Sequence, residues 1–311
     1  VREAFLRIGT QAVTACVFLL LIAGALVTST QSGLAVPDWP LSYGRVMPPM
    51  VGGIRYEHGH RLVAAAVSTL VGLEFGAFLF FFKERRTLKR LAGVAFFAIL
   101  LQALLGGLTV IFLLPPAISS AHAALAEIVF ALIATIALMC SKTWEDLGRI
   151  PSKGNAPVVR RAFRWVVAAT AAVYLQIVLG AVMRHTGAGL AIPDFPTAFG
   201  GVVPTFEELS RPGVPIHFAH RLMALAVVLL VFQAARVLSA LPALPSLFAP
   251  AGAFWAGLVC LQAFLGASSI WSAKAVPLTV AHLATGALCW VTGVLLSVAL
   301  AAGFSDKLGR E

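Results

Sequence analysis

Eight stretches of mostly apolar residues, each long enough to cross a lipid bilayer, decide what this chain can become. They lie near 11–30, 57–82, 91–113, 119–141, 163–184, 216–238, 250–271 and 278–302. Inside a bilayer no water satisfies the backbone, so each stretch must close its hydrogen bonds within itself as a helix. With 59% hydrophobic and 12% charged residues, the chain has too little polar surface for a water-soluble domain. The expected fold is an all-α polytopic membrane protein with eight transmembrane helices. The first run is long enough to span and shows no small-residue cleavage site, so it reads as a span rather than a removable leader.

Basic residues set the expected orientation. With both termini cytoplasmic, 16 Lys and Arg fall inside, among them Arg2, Arg7, the Lys83–Arg90 cluster, the Lys142–Arg164 connection, Arg236, Lys307 and Arg310. Seven fall outside: Arg45, Arg55, Arg61, Arg184, Arg211, Arg221 and Lys274. This is the sense of the positive-inside rule; the expected location is a cell membrane, inner or plasma, with the chain as a multi-pass protein. The formal charge of +10 is then a topology signal with attraction to anionic lipid as a consequence, and it calls for no nucleic acid. Cys16, Cys140, Cys260 and Cys289 lie in or at the ends of apolar runs without a C-x-x-C spacing, which indicates neither a disulfide framework nor a thiolate metal site.

The chain repeats itself. Gly33-Leu34-Ala35-Val36-Pro37-Asp38-Trp39-Pro40-Leu41-Ser42-Tyr43-Gly44 returns as Gly189-Leu190-Ala191-Ile192-Pro193-Asp194-Phe195-Pro196-Thr197-Ala198-Phe199-Gly200, with seven identities in twelve at an offset of 156. From His60-Arg61-Leu62 and His220-Arg221-Leu222 onward the offset is 160, because the second outer loop is four residues longer. Four spans per repeat is an even number, so both halves enter the membrane the same way. They are expected as two tandem four-helix bundles related by a pseudo-twofold axis along the membrane normal. The units are 1–141 and 163–311, joined by a polar cytoplasmic linker at 142–162 that contains Pro151, Gly154 and Pro157.

Four histidines repeat with the units. His60 and His122 are 62 residues apart, as are His220 and His282. All four are expected near the outer ends of the even-numbered spans, at one depth. A histidine inside a membrane is costly without a partner and a function, and two level imidazoles per bundle match the axial ligands of a haem iron. Helix-to-helix hydrogen bonding is the plainer role for any one of them. Zinc would lack two ligands in each half, with only Glu57 near enough in sequence to help.

Supporting features are weaker singly. Arg61 and Arg221 follow two of the histidines and put cations where haem propionates would emerge, although interfacial snorkelling also accounts for them. The Q-x-x-x-G steps Gln102–Gly106, Gln176–Gly180 and Gln262–Gly266 permit close approach of a macrocycle or of a neighbouring helix. The two Pro-Asp-aromatic-Pro loops are expected to fold back as lids or interfacial belts.

The halves differ in acidic residues. Glu57, Glu74 and Glu127 correspond to His217, Ala234 and Ala287, which points to chemistry in the first half. Glu57 precedes His60 by three residues and shares its helical face; it is placed either to steer protons or to hydrogen-bond a ligand or loop. Glu127 is a candidate for a continued proton path and Glu74 for packing. His58 and His217 read as supporting residues and His185 as a loop residue.

With Glu57-His58-Gly59-His60-Arg61, His122, His220-Arg221, His282, the Gly33–Gly44 loop and Pro48-Pro49, the chain resembles the haem A synthase family of bacteria and mitochondria over nearly its whole length. The resemblance implies an oxidoreductase that converts the C8 methyl of haem O to a formyl group by successive oxygen-dependent hydroxylations. It implies haem O or haem A between His60 and His122, haem b between His220 and His282, and Glu57 as the residue essential to turnover. Implied partners are haem O, molecular oxygen or water, membrane lipid, an electron donor and the haem O-producing farnesyltransferase. Many bacterial members carry two cysteines in the first outer loop; the nearest positions here hold Val36 and Ser42, so a mechanism built on that pair does not transfer. Two readings of other classes stand beside this one: a dihaem b-type cytochrome exchanging electrons with quinone, and a transporter whose histidines line a pathway.

Overall fold

The computed structural model describes residues 2–147, 156–240 and 246–302. Among them, eight helices are long and apolar enough to cross a membrane. They are α1 (Arg2–Ser29), α2 (Ile54–Phe80), α3 (Arg86–Ile111), α4 (Pro116–Met139), α6 (Ala156–His185), α8 (Val214–Ser239), α9 (Phe248–Trp271) and α10 (Val276–Ala302). Two short helices, α5 (Lys142–Leu147) and α7 (Phe206–Leu209), lie between them. No strand is present among the described residues.

Helix starts follow local chemistry. Pro116 opens α4 and Pro215 occupies the first turn of α8, where the missing N–H costs nothing. The two short connections α3–α4 and α9–α10 each turn on two consecutive left-handed residues, Leu113-Leu114 and Ala273-Lys274. Three boundaries differ from the sequence expectation. Helix α1 begins nine residues before position 11, because polar residues such as Arg2 and Arg7 continue the helix beyond the apolar run. The expected linker at 142–162 is partly helical: α5 tucks Trp144 and Leu147 into the core, and α6 begins at Ala156. Pro151 and Gly154 of that linker, and Lys307 and Arg310 of the charge pattern, lie outside the described residues. His185 ends α6 rather than sitting in a loop.

Neighbouring helices close two rings of four. In one, α1 packs on α2, α2 on α3, α3 on α4 and α4 on α1; in the other, α6, α8, α9 and α10 do the same. Helices α4 and α10 meet between the rings, α4 also touching α6 and α10 touching α1. Half of the apolar window of α4 and α10 is buried, against 17–28% for the other spans, so these two are the inner helices. A single apolar core, from Val17 and Val71 through Ile133 to Val231 and Leu300, runs through both rings.

Candidate haem-binding sites

His60, His122, His220 and His282 are each the seventh residue of their helices, α2, α4, α8 and α10. At 1.5 Å per residue they lie about 9 Å inside the helix starts. His60 and His122 are within electrostatic range of each other, and so are His220 and His282. In each ring one histidine comes from an outer helix and one from an inner helix.

Each imidazole rests against a glycine on the preceding membrane helix. A Cβ placed on Gly24 of α1 would lie 3.2 Å from Cε1 of His60, and one on Gly106 of α3 would lie 3.2 Å from Cε1 of His122. The corresponding distances are 2.9 Å from Gly180 of α6 to His220 and 3.1 Å from Gly266 of α9 to His282. Any side chain at these four positions would push on the ring, so the glycines fix where each imidazole sits. Three of them are the glycines of the Q-x-x-x-G steps, which therefore serve histidine placement. The fourth, Gly24, lacks a preceding glutamine because Leu20 stands there.

The imidazole nitrogens of the four histidines are not partnered alike. Nδ1 of His60, His122 and His220 is buried without a hydrogen-bond partner. In the second ring the Gln176 and Gln262 amides lie 3.2 and 3.4 Å from Nε2 of His220 and His282, and Gln176 also donates to the His220 carbonyl at 3.0 Å. His282 Nδ1 sits 3.1 Å from the Gln262 carbonyl, the contact that orients a metal-binding imidazole. Paired, level imidazoles backed by bare helix surface suit a flat bis-histidine haem. Among the described residues no three His, Cys, Asp or Glu side chains come together, as a tetrahedral zinc site would need.

Above each ring lies one of the repeated loops, and both are built alike. Asp38 accepts the backbone N–H groups of Tyr43 and Gly44, and Asp194 accepts those of Phe199 and Gly200 together with the Thr197 hydroxyl. Tyr43, Gly44, Phe199 and Gly200 all have positive φ, which these carboxylates stabilise. The Gly44 and Tyr43 amides hold the Asp38 carboxyl below the ordinary carboxylate range. The Thr197 hydroxyl, then the Gly200 amide, bring Asp194 down to about 2.

Glu57 ties the first loop to α2. It is 4% exposed, its Oε2 accepts the Val36 N–H at 2.8 Å, and its Oε1 accepts from Arg61 at 2.6 Å. In the second half the same duty falls to His217, whose Nδ1 accepts the Ile192 N–H at 3.2 Å. Arg61 also donates to the carbonyls of Asp38 and Leu41, and Arg221 to those of Ile192, Asp194 and Thr197. Both guanidinium groups thus fasten the loops. Ser42 hydrogen-bonds His58 Nδ1 at 2.7 Å. Trp39 lies on Gly107, where an added Cβ would stand 2.7 Å from the indole, so the first loop does cover its ring of helices.

Residues 54–294 match the COX15-CtaA family, described as cytochrome oxidase assembly protein. This chain belongs to that family. It is 33% identical over 71% of its length to a protein named heme A synthase from Shouchella clausii, covering 75% of that protein. Proteins of the same name from Halalkalibacterium halodurans and Symbiobacterium thermophilum are each 34% identical. The first match covers 70% of both chains; the second covers 73% of this chain and 74% of the relative.

In this member of the COX15-CtaA family, α6 joins the two rings. The Tyr174 hydroxyl donates to the Ala124 carbonyl at 3.3 Å, two residues past His122. The Tyr174 ring packs on Trp290, with centroids 4.8 Å apart, and the Trp290 indole N–H donates to the Glu127 carbonyl at 2.9 Å. At the histidine end of the bundle Arg184 reaches α1, donating to Ser29 Oγ at 2.8 Å and to the carbonyl of Ala25, the neighbour of Gly24. His185 comes within electrostatic range of His122 in the opposite half, a proximity that the sequence repeat did not signal. The Glu127 side chain is buried at this junction with Oε2 unpartnered, whereas Glu74 lies 14 residues beyond His60 with neither carboxyl oxygen partnered.

Proposed function

We propose that this multi-pass membrane protein is an oxidoreductase of the haem A synthase type. It oxidises the C8 methyl of haem O to a formyl group through successive oxygen-dependent hydroxylations. Family membership and relatives named heme A synthase support the reaction. The observation that carries the division of labour is the exchange of Glu57 for His217 at one structural position. Both groups hold the loop, but only the first half gains a carboxylate one turn from a ring-facing histidine.

On this reading residues 1–141 form the substrate unit, with His60 and His122 flanking haem O or haem A. Residues 163–311 form the unit whose His220 and His282 hold haem b. When bound, haem b supplies a one-electron centre through which reducing equivalents reach the first half. The imidazoles orient the macrocycles and the glycines keep the rings in place. Glu57 Oε1 and Oε2 set the charge beside the substrate, while the loop pinned by Arg61 and Trp39 excludes water from above. Arg61 and Arg221 add positive charge at the face where propionates emerge. The termini lie on the cytoplasmic side of a cell membrane. Haem O, made by a membrane farnesyltransferase, enters from the bilayer, with molecular oxygen or water as the oxygen source and a separate electron donor.

The test is to replace Glu57→His, which copies the second half and keeps an acceptor for the Val36 amide, and separately Glu57→Gln. Pigment is extracted after expression with haem O available. The wild type is expected to yield haem b with haem O and haem A; both variants should retain pigment and lose haem A. Undiminished haem A in Glu57→His would reduce Glu57 to a loop fastener. Protohaem alone in the wild type would support a dihaem cytochrome, and colourless protein a transporter.

A further inference from the structure

At the end of the bundle opposite the histidines, α6 carries a feature that the haem chemistry leaves unused. Among the described residues, Pro157, Arg160, Arg161, Arg164, Trp165 and Ala168 line a shallow, open groove along one face of α6. Their spacing of three, one, three, one and three residues is a single stripe along a helix. The opposite stripe, Ala162, Val166, Ala169 and Val173, is packed into the core. The groove therefore faces outward, at the boundary between lipid and water. The three arginines are exposed, and among the described residues no carboxylate pairs with them. The first turn of α6 contains no acidic residue, so nothing in it offsets the three like charges that follow.

The repeat provides an internal control. The offset of 156 that relates Gly24 to Gly180 pairs Arg160, Arg161, Arg164 and Trp165 with Ala4, Phe5, Ile8 and Gly9 of α1. Phe5 and Ile8 are 80% and 64% exposed, which makes the matching stripe of α1 an ordinary lipid-facing surface. Membrane orientation asks for an excess of cations at this end, and Arg2, Arg7 and the Lys83–Arg90 cluster already contribute to it. It does not ask for three guanidinium groups on one stripe beside an indole and a groove.

We propose that this groove binds an anionic phospholipid from the adjacent leaflet. Arg160, Arg161 and Arg164 hold the phosphate, since forked guanidinium donors match its oxygens. Trp165 and Ala168, farther along the span, contact the glycerol and the first acyl carbons. The groove thus passes from cationic to apolar in the order in which a lipid passes from headgroup to chain, in the manner of basic lipid pockets between membrane helices.

The test uses the whole protein in phosphatidylcholine vesicles containing a fixed fraction of acyl-brominated phosphatidylglycerol or of acyl-brominated phosphatidylcholine. Bromine quenches nearby tryptophan, and the Trp165→Phe protein identifies the Trp165 contribution. That contribution should be quenched roughly twofold or more strongly by the anionic lipid. Arg160→Gln/Arg161→Gln/Arg164→Gln should abolish the preference, and the corresponding triple Lys variant should keep part of it. Should the Gln triple variant fold poorly, Arg161→Gln alone is expected to weaken the preference. Equal quenching by the two lipids in the wild type would overturn the proposal. So would loss of the preference on adding inorganic phosphate, which would make the groove a site for free anions.

Discussion

Gly180 lies under His220 so closely that one added carbon on the glycine would stand 2.9 Å from the ring, the tightest of the four glycine–imidazole contacts. Gly180→Ala is therefore expected to displace His220 and, on the proposed function, to lower the haem content of the second ring, while Gly24→Ala and Gly106→Ala, at 3.2 Å, should be milder. Overpacking of this kind costs about 1–3 kcal/mol. Loss of the low-spin bis-imidazole signal with unchanged helical circular dichroism would confirm it. Full haem content in Gly180→Ala would contradict the seating.

Gly107 and Trp39 should be coupled in the same way. In the second half the repeat offsets put Ala267 and Phe195 at these positions, a smaller aromatic and a larger small residue. Gly107→Ala alone should destabilise the protein by about 1–3 kcal/mol, and Trp39→Phe in the same chain should restore part of the loss. A double-mutant cycle on thermal unfolding measures the coupling; simple additivity would show that the two do not press on each other.

Arg184 and Ser29 hold the halves together. Arg184→Met removes a charged donor to Ser29 Oγ and to the Ala25 carbonyl, at about 1.5–3 kcal/mol for hydrogen bonds to a charged group. Ser29→Ala should cost less, since the Ala25 carbonyl remains. The order of the two melting temperatures checks this, and a melting temperature in Arg184→Met no lower than in Ser29→Ala would refute it.

The second outer loop should open only in strong acid. Asp194 has a folded pKa of about 2 against an ordinary 3.8, so its carboxylate favours the closed loop above pH 4. That contribution fades as pH falls from about 4 through 2, when the carboxylate gains a proton and stops accepting the Gly200 and Phe199 amides. Pepsin cleavage within 185–215 should rise over this window relative to cleavage elsewhere in the chain. In Asp194→Asn the loop should be cut equally across it; an unchanged pH response in that variant would assign the opening to other groups.

The eight spans were legible in the sequence because membrane helices leave long apolar runs, and the duplication showed in the fixed offsets of 156 and 160. The Q-x-x-x-G steps were read as helix packing or macrocycle approach. Their use as seats for imidazoles needed three dimensions, because Gly106 and His122 come from different helices. Gly24 carried no glutamine flag, and only the offset of 156 to Gly180 could have exposed it. The loop-fastening roles of Arg61 and Arg221 were hidden for another reason. A sequence shows that a cation is near the surface, whereas the carbonyls that it meets belong to a loop whose fold depends on Asp38 and Asp194. The helical start at Ala156 was missed because Arg160, Arg161 and Arg164 interrupt the hydropathy without interrupting the helix.

Every glycine seat and its histidine sit on consecutive spans: α1 with α2, α3 with α4, α6 with α8, α9 with α10. A nascent chain that enters the bilayer one hairpin at a time would thus present each imidazole already braced, and a site would arise when two such hairpins dock. The amino-terminal ring can then be finished while the ribosome is still making the carboxy-terminal one.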